Sequence, residues 1–153
     1  MHEYRVNFGP LPLTAATAKT IVQLVTPSTR RARLLSLDIG FDSTDAANAG
    51  ATVELIQATT AGTGTSATPV AQDRADPAAL CVGGTTATAT NLTAEPTTIT
   101  VIQTLKMTVV GSTLIYVWHP DAQPTFPVSG VIGIRCTAPQ AQSGIVGSLL
   151  YRE

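Results

Sequence analysis

The feature that most constrains this chain is a run of period-two alternation between Arg33 and Ala58. Leu35, Leu37, Ile39 and Phe41 fall on one side of an extended backbone, and Ser36, Asp38 and Gly40 on the other. Successive side chains of a strand point to opposite faces, so this pattern marks a strand with one buried face. After a small polar loop from Asp42 to Gly50 the alternation resumes, with Val53 and Leu55 opposite Glu54. Two such runs joined by a loop predict an antiparallel pair, and a sheet with one apolar face needs a second layer to cover it.

The remaining segments read in the same way. Lys19 to Thr26 is a strand stopped by Pro27, and Ser28 to Arg31 turns into the alternating run. Thr98 to Val109 alternates at length, with Ile99, Val101, Gln103, Leu105, Met107 and Val109 on one side. Thr113 to Trp118, a short start at Phe126, Val131 to Thr137, and Ile145 to Tyr151 complete the set, with Ala138 to Gly144 as a hairpin-like loop. The Thr/Ala/Gly stretch from Thr59 to Thr68 is too small and polar to form core and reads as loop. Its Gly62-Thr63-Gly64 lacks the Gly-Lys-Ser/Thr ending of a phosphate loop. Val70 and Ala71 are expected to pair briefly, and Asp76 followed by Pro77 predicts a cap and at most one short helix near residues 76–80. The expected fold is an all-β, two-sheet antiparallel β-sandwich, jelly-roll-like, of about eight strands. Residues 1–13 read as an N-terminal arm and residues 14–153 as a single sandwich domain. In the arm Tyr4, Val6 and Phe8 alternate before Gly9-Pro10-Leu11-Pro12 breaks the pattern, which suits an edge strand or a segment crossing to a neighbour.

Composition narrows function by exclusion. Charged residues are 12% of the 153, against roughly 25% in an average soluble domain. Thr and Ala fill roughly 30% of the chain, and Thr favours strands through its β-branch. A surface this neutral belongs either to a Thr-coated domain that stands alone or to one that buries part of itself against another chain. The net charge of −1 and pI near 6.1 argue against nucleic acid as a ligand. No apolar run of about 18 residues is present, so no membrane span is expected. The first eight residues lack the apolar core of a signal peptide. Cys81 and Cys136 have no metal-ligand spacing and are expected as buried free thiols in a chain made in a reducing cytoplasm.

The inventory for catalysis is thin. His2 and His119 are the only histidines, so a metal cluster of the His-x-His type is absent, and no cofactor or enzyme activity is expected. His119, beside Trp118 and Pro120, reads as a loop histidine. Asp42 and Asp45 offer oxygens to calcium or are simply solvated. Asp73 and Asp76 suit a turn and a cap. Trp118, the sole tryptophan, either closes one end of the core or anchors a partner or a sugar. Arg30, Arg31 and Arg33 form the only basic cluster, a solvated strand end or a contact for an acidic surface. Tyr4, Val6, Phe8, Arg30, Arg31 and Trp118 are therefore the candidate interface residues.

Several segments together resemble a known family. They are Lys19-Thr20-Ile21-Val22-Gln23-Leu24-Val25, Leu34 to Asp42, Val53-Glu54-Leu55 with Thr59 to Thr63, and Thr93-Ala94-Glu95-Pro96-Thr97. Trp118-His119-Pro120, Phe126-Pro127-Val128 and Gly133 to Pro139 complete the likeness, which runs from Thr14 to Tyr151. The family is that of small structural proteins that decorate or cement tailed-bacteriophage heads. The resemblance implies a non-enzymatic virion protein, made in the host bacterial cytoplasm and bound to the outer surface of the head. It implies the major capsid protein as partner and a homo-oligomer, with a trimer favoured, and it carries no catalytic residues. The alternatives are another phage particle component, such as a tail, fibre or baseplate module, and a carbohydrate-binding β-sandwich. On this reading the arm reaches a neighbour or the shell, and removing residues 1–12 is expected to leave the fold intact.

Overall fold

The computed structural model describes residues 1–42, 50–108 and 111–153. Twelve strands run through them: β1 (Glu3–Leu13), β2 (Lys19–Val25), β3 (Ala32–Gly40), β4 (Ala51–Ala58), β5 (Thr63–Ser66), β6 (Val70–Ala71), β7 (Ala89–Ala94), β8 (Thr100–Met107), β9 (Thr113–Val117), β10 (Thr125–Phe126), β11 (Val131–Thr137) and β12 (Gln142–Arg152). They form two antiparallel sheets. In the first, β9 and β10 both pair with β3, which is followed by β12, β1 and β6. The second has the order β5, β7, β2, β11, β4, β8.

Eight of these strands carry the topology, namely β1 to β4, β8, β9, β11 and β12. Counted along the chain, the first pairs with the eighth, the eighth with the third and the third with the sixth. In the other sheet the second pairs with the seventh, the seventh with the fourth and the fourth with the fifth. This is the strand order of a jelly roll, in which the chain keeps crossing from sheet to sheet. Strands β5, β6 and β7 are short additions within the excursion between β4 and β8. Between the sheets, Tyr4, Val6, Leu37, Ile39, Leu149 and Tyr151 share one continuous core with Val22, Leu24, Leu55, Ile132 and Ile134.

The first thirteen residues are not an arm. β1 lies between β12 and β6, and Tyr4, Val6 and Phe8 are 1%, 0% and 6% exposed. The Pro-rich break is absorbed as irregular pairing: the register steps from Phe8 opposite Gly147 to Leu11 opposite Ile145, then to Leu13 opposite Gln142. Bulges are where a sheet tolerates proline. Gly9 makes this one possible. Its φ is +105°, and a Cβ there would run into the Ile145 carbonyl.

Other expectations also change. β3 and β4 do not pair but sit in opposite sheets, because alternation reports a buried face and not the partner strand. The loop joining them, residues 43–49 with Asp45, lies outside the described residues. Within β3 the pairing slips between Leu150 opposite Ser36 and Tyr151 opposite Leu34. Leu34, Leu37 and Ile39 therefore join the main core, while Leu35 does not. The expected loop at 138–144 is no hairpin: residues 138–141 link β11 to β12 across the sandwich, and residues 142–144 already belong to β12. Thr63–Ser66 is a strand on β7, made possible by backbone pairing that needs no core side chain. Residues 76–80 are not helical; Asp73 turns the chain by accepting from Ala75 N (2.9 Å). The one helical turn among the described residues is 3-10, at Pro120–Ala122. β8 is an edge strand with a register shift at Ile102, so only Gln103, Leu105 and Met107 turn half-buried toward the core. Val109 lies outside the described residues.

Candidate functional site

Of the six residues singled out as interface candidates, four belong to the interior. Tyr4, Val6 and Phe8 pack inside the sandwich, and Trp118 is 4% exposed. Arg30 and Arg31 are exposed at the turn before β3. Trp118 closes the core, and its polar edge does further work. Its Nε1 donates to Gln103 Oε1 (2.8 Å), Gln103 Nε2 donates to Tyr116 Oη (2.7 Å), and the Tyr116 and Trp118 rings meet edge-on at 5.3 Å. Gln103 is on β8 and Tyr116 on β9, so this trio ties an edge of one sheet to an edge of the other. The ring faces inward and offers no platform to a sugar.

The remaining titratable groups serve local structure. His119 is largely exposed and its Nδ1 caps the 3-10 turn, 3.4 Å from Asp121 N. Asp42 accepts from Ser143 Oγ (2.6 Å) and Ser143 N (3.3 Å), and the Ser143 hydroxyl foremost holds its carboxyl below the usual range. Among the described residues no group of three or more His, Cys, Asp or Glu could hold a metal ion. Cys81 and Cys136 are free and buried. Burial pushes both thiols up, with the Glu153 carboxylate adding to the effect at Cys81 and Glu54 at Cys136. A nucleophilic cysteine needs the opposite shift.

A cleft sits where the ends of β1 and β12 meet the 77–80 segment. It has a volume of about 230 Å³ and is lined by His2, Tyr4, Arg30, Pro77, Leu80 and Glu153, with Ala78. Most of its polar atoms are already engaged. Glu153 accepts from Leu80 N (2.5 Å) and Cys81 N (3.1 Å), Tyr4 Oη donates to the Pro77 carbonyl (3.0 Å), and His2 Nδ1 lies 2.6 Å from Asp76 Oδ1. These bonds clamp the 73–81 loop onto the strand ends. Asp76 thus holds a histidine and caps no helix.

What the fold leaves open is an outer sheet surface. Rows of directly paired residues cross the outside of the first sheet. One row reads Val117, Ser36, Leu150, Arg5, Val70 from β9 through β3, β12 and β1 to β6. The next reads Ile115, Asp38, Ser148, Asn7, and a third Thr113, Gly40, Val146. Ile115, Val117, Val70 and Val146 are 69%, 68%, 56% and 48% exposed. At the centre Arg5 Nη1 donates to Asp38 Oδ2 (3.2 Å) and Ser148 Oγ (2.9 Å), and Ser148 Oγ donates to the same Asp38 oxygen (3.0 Å).

The outside of the second sheet is different. Its row Ile56, Gly133, Gln23 is covered by the chain's own excursion, and Ile56 and Gln23 are fully buried. Gln23 Nε2 donates to Gly62 O (3.1 Å) and Ala87 O (2.9 Å), and its Oε1 accepts from Gly62 N (2.8 Å). The adjacent row carries the Glu54–Arg135 ion pair at 2.7 Å. On the β8 edge of that sheet Val101 and Ile102 are exposed. Sequence reading missed both surfaces. The signal for the first was that Thr113 to Trp118 is apolar at almost every position, so both faces of β9 carry aliphatic or aromatic groups. Comparison of the chain with protein-family models, with curated proteins and with solved structures gave no match.

Proposed function

We propose that this chain is a non-enzymatic structural protein of a tailed-phage particle, bound to the outer surface of the head beside the major capsid protein and associated with further copies of itself. The observation that carries this reading is the presence of two separate uncovered aliphatic surfaces on one small sandwich, the outer face of the first sheet and the β8 edge. A protein that joins both a shell and its own copies needs two contact surfaces, and monomeric proteins seldom leave large apolar patches bare. Several modest contacts on a fixed lattice add up to firm attachment. The jelly roll is shared by viral capsid domains, lectins and cupins, so the topology supports the reading only by analogy. The segment likeness from Thr14 to Tyr151 favours the phage head among these.

The test is cosedimentation of the purified protein with empty tailed-phage shells assembled from a major capsid protein. Saturable binding at a fixed ratio to capsid subunits is the expected result. Binding to isolated tails and not to shells would move the protein to a tail, fibre or baseplate role, and binding to neither would overturn the particle reading.

A further inference from the structure

We infer that the outer face of the first sheet is the contact between two copies of this chain, packed face to face about a two-fold axis. One row across it carries a valine at each end and a leucine at its middle: Val117, Ser36, Leu150, Arg5, Val70. A two-fold axis in the contact plane, running along β12 through Ser148, sets each row against its own reverse. Val117 of one copy then lies over Val70 of the other, Leu150 over Leu150, and Ser36 over the Arg5 stem. The same operation swaps the β1 and β3 positions, so the Arg5–Asp38 pair meets its own inverse and each guanidinium gains a second carboxylate. A partner of one charge sign would not match this balanced centre, whereas a second copy does. The floor is also low enough for close approach, because Ser36 and Ser148 are 9% and 6% exposed between the ridge of Ile115 and Val117 and the Val146 and Val70 side chains.

Size sets the strength. The five, four and three paired positions of its rows, each about 4.8 Å by 6.8 Å, give roughly 400 Å² per copy. The total of about 800 Å² falls below the roughly 1,200–2,000 Å² of a standard stable interface, so the dimer is weak and concentration-dependent. The inference deepens the self-association in the proposed function and replaces the three-fold arrangement with a two-fold one. Three copies cannot share a face that is complementary to itself.

Sedimentation velocity of the full chain from about 10 µM to about 1 mM tests it, with a dissociation constant on the order of 100 µM expected. Val117→Lys, on an exposed ridge, should weaken the dimer at least tenfold with an unchanged circular dichroism spectrum and melt. The sharper test is charge exchange. Arg5→Glu and Asp38→Arg are each expected to be monomeric, since every copy then presents like charges to its twin. Mixed together they should form a heterodimer, because the acidic side chain placed at position 5 of one copy meets the basic one placed at position 38 of the other, while Asp38 of the first copy meets Arg5 of the second. A wild-type protein that stays monomeric at 1 mM or forms trimers overturns the inference, as does a mixture of the two variants that stays monomeric. Shell cosedimentation is read separately. Wild-type dimers that ignore shells count against the head reading alone, and shell binding by a protein monomeric at 1 mM counts against the two-fold contact alone.

Discussion

Gln103→Leu isolates the joint that ties the two sheets together at the β8 and β9 edges. The substitution keeps side-chain size and removes both hydrogen bonds of the amide. The Trp118 indole N–H, in a residue 4% exposed, loses its acceptor. Leaving a buried donor unpaired costs about 1–3 kcal/mol. Tyr116 is only half-buried, so its hydroxyl exchanges the lost partner for water at little cost. Leucine regains up to about 1 kcal/mol by burying methyl groups against Tyr116 and Trp118. The net loss is about 1–2 kcal/mol, or about 3–6 °C in Tm for a domain of this size. Urea titration followed by far-ultraviolet circular dichroism measures the loss in every variant, including those that lack Trp118, the only tryptophan. Trp118→Phe removes the donor itself, so the double variant should recover about 1–2 kcal/mol relative to the sum of the single losses. Strict additivity, or a Gln103→Leu protein within about 0.3 kcal/mol of the parent, would refute the assignment of this bond as the inter-sheet tie.

Three further outcomes are expected. Removing residues 1–12 takes out nearly all of β1 from between β12 and β6 and strips the core of Tyr4, Val6 and Phe8; the loss exceeds the roughly 5–15 kcal/mol that holds a domain together, so a cooperative thermal transition in the truncated protein would refute the placement. Gly147→Ala sets a methyl against the Asp38 carbonyl and within 2.6 Å of the Phe8 ring, and should destabilise by about 1–3 kcal/mol in denaturant melts. Asp42 has its folded pKa lowered by the Ser143 hydroxyl, so its contribution is present above the unfolded value and is lost as pH falls through the folded one. Urea midpoints between roughly pH 4 and pH 2 should therefore fall less steeply in Asp42→Asn, and an identical slope would contradict the bond.

The residues that were legible from the sequence are those whose role is local. Leu37 and Ile39 alternate because β3 has one buried face, and Val53 and Leu55 repeat this in β4. Trp118 at a strand end does close the core. Val70 and Ala71 do pair briefly, with Arg5 and Tyr4 of β1. The misreadings share one cause, which is that local pattern says nothing about distant partners. Gly9-Pro10-Leu11-Pro12 looks like a break until β12 is laid beside it and takes up the irregularity as a bulge. Asp76 before Pro77 looks like a helix cap until His2 arrives from 74 positions away to take its carboxylate. Leu35 fits the apolar alternation, yet a slip in the pairing with β12 removes it from the main core.

By itself the sequence determined the class of the molecule. Period-two patterning, abundant threonine, and Gly and Pro punctuation admit strands and turns and almost no helix. The short-range sterics of each residue are enough to decide that. Tertiary structure alone decided which strands became neighbours, and with that which surfaces were left bare. The aliphatic groups of Ile56 and Ile115 are alike in composition and both point away from the main core. Ile56 is sealed because the excursion after β4 folds back over its sheet and anchors on Gln23, while none of the described residues returns over Ile115 and Val117 of β9. That difference depends on where a loop some forty residues long comes to rest, which is a property of the whole fold.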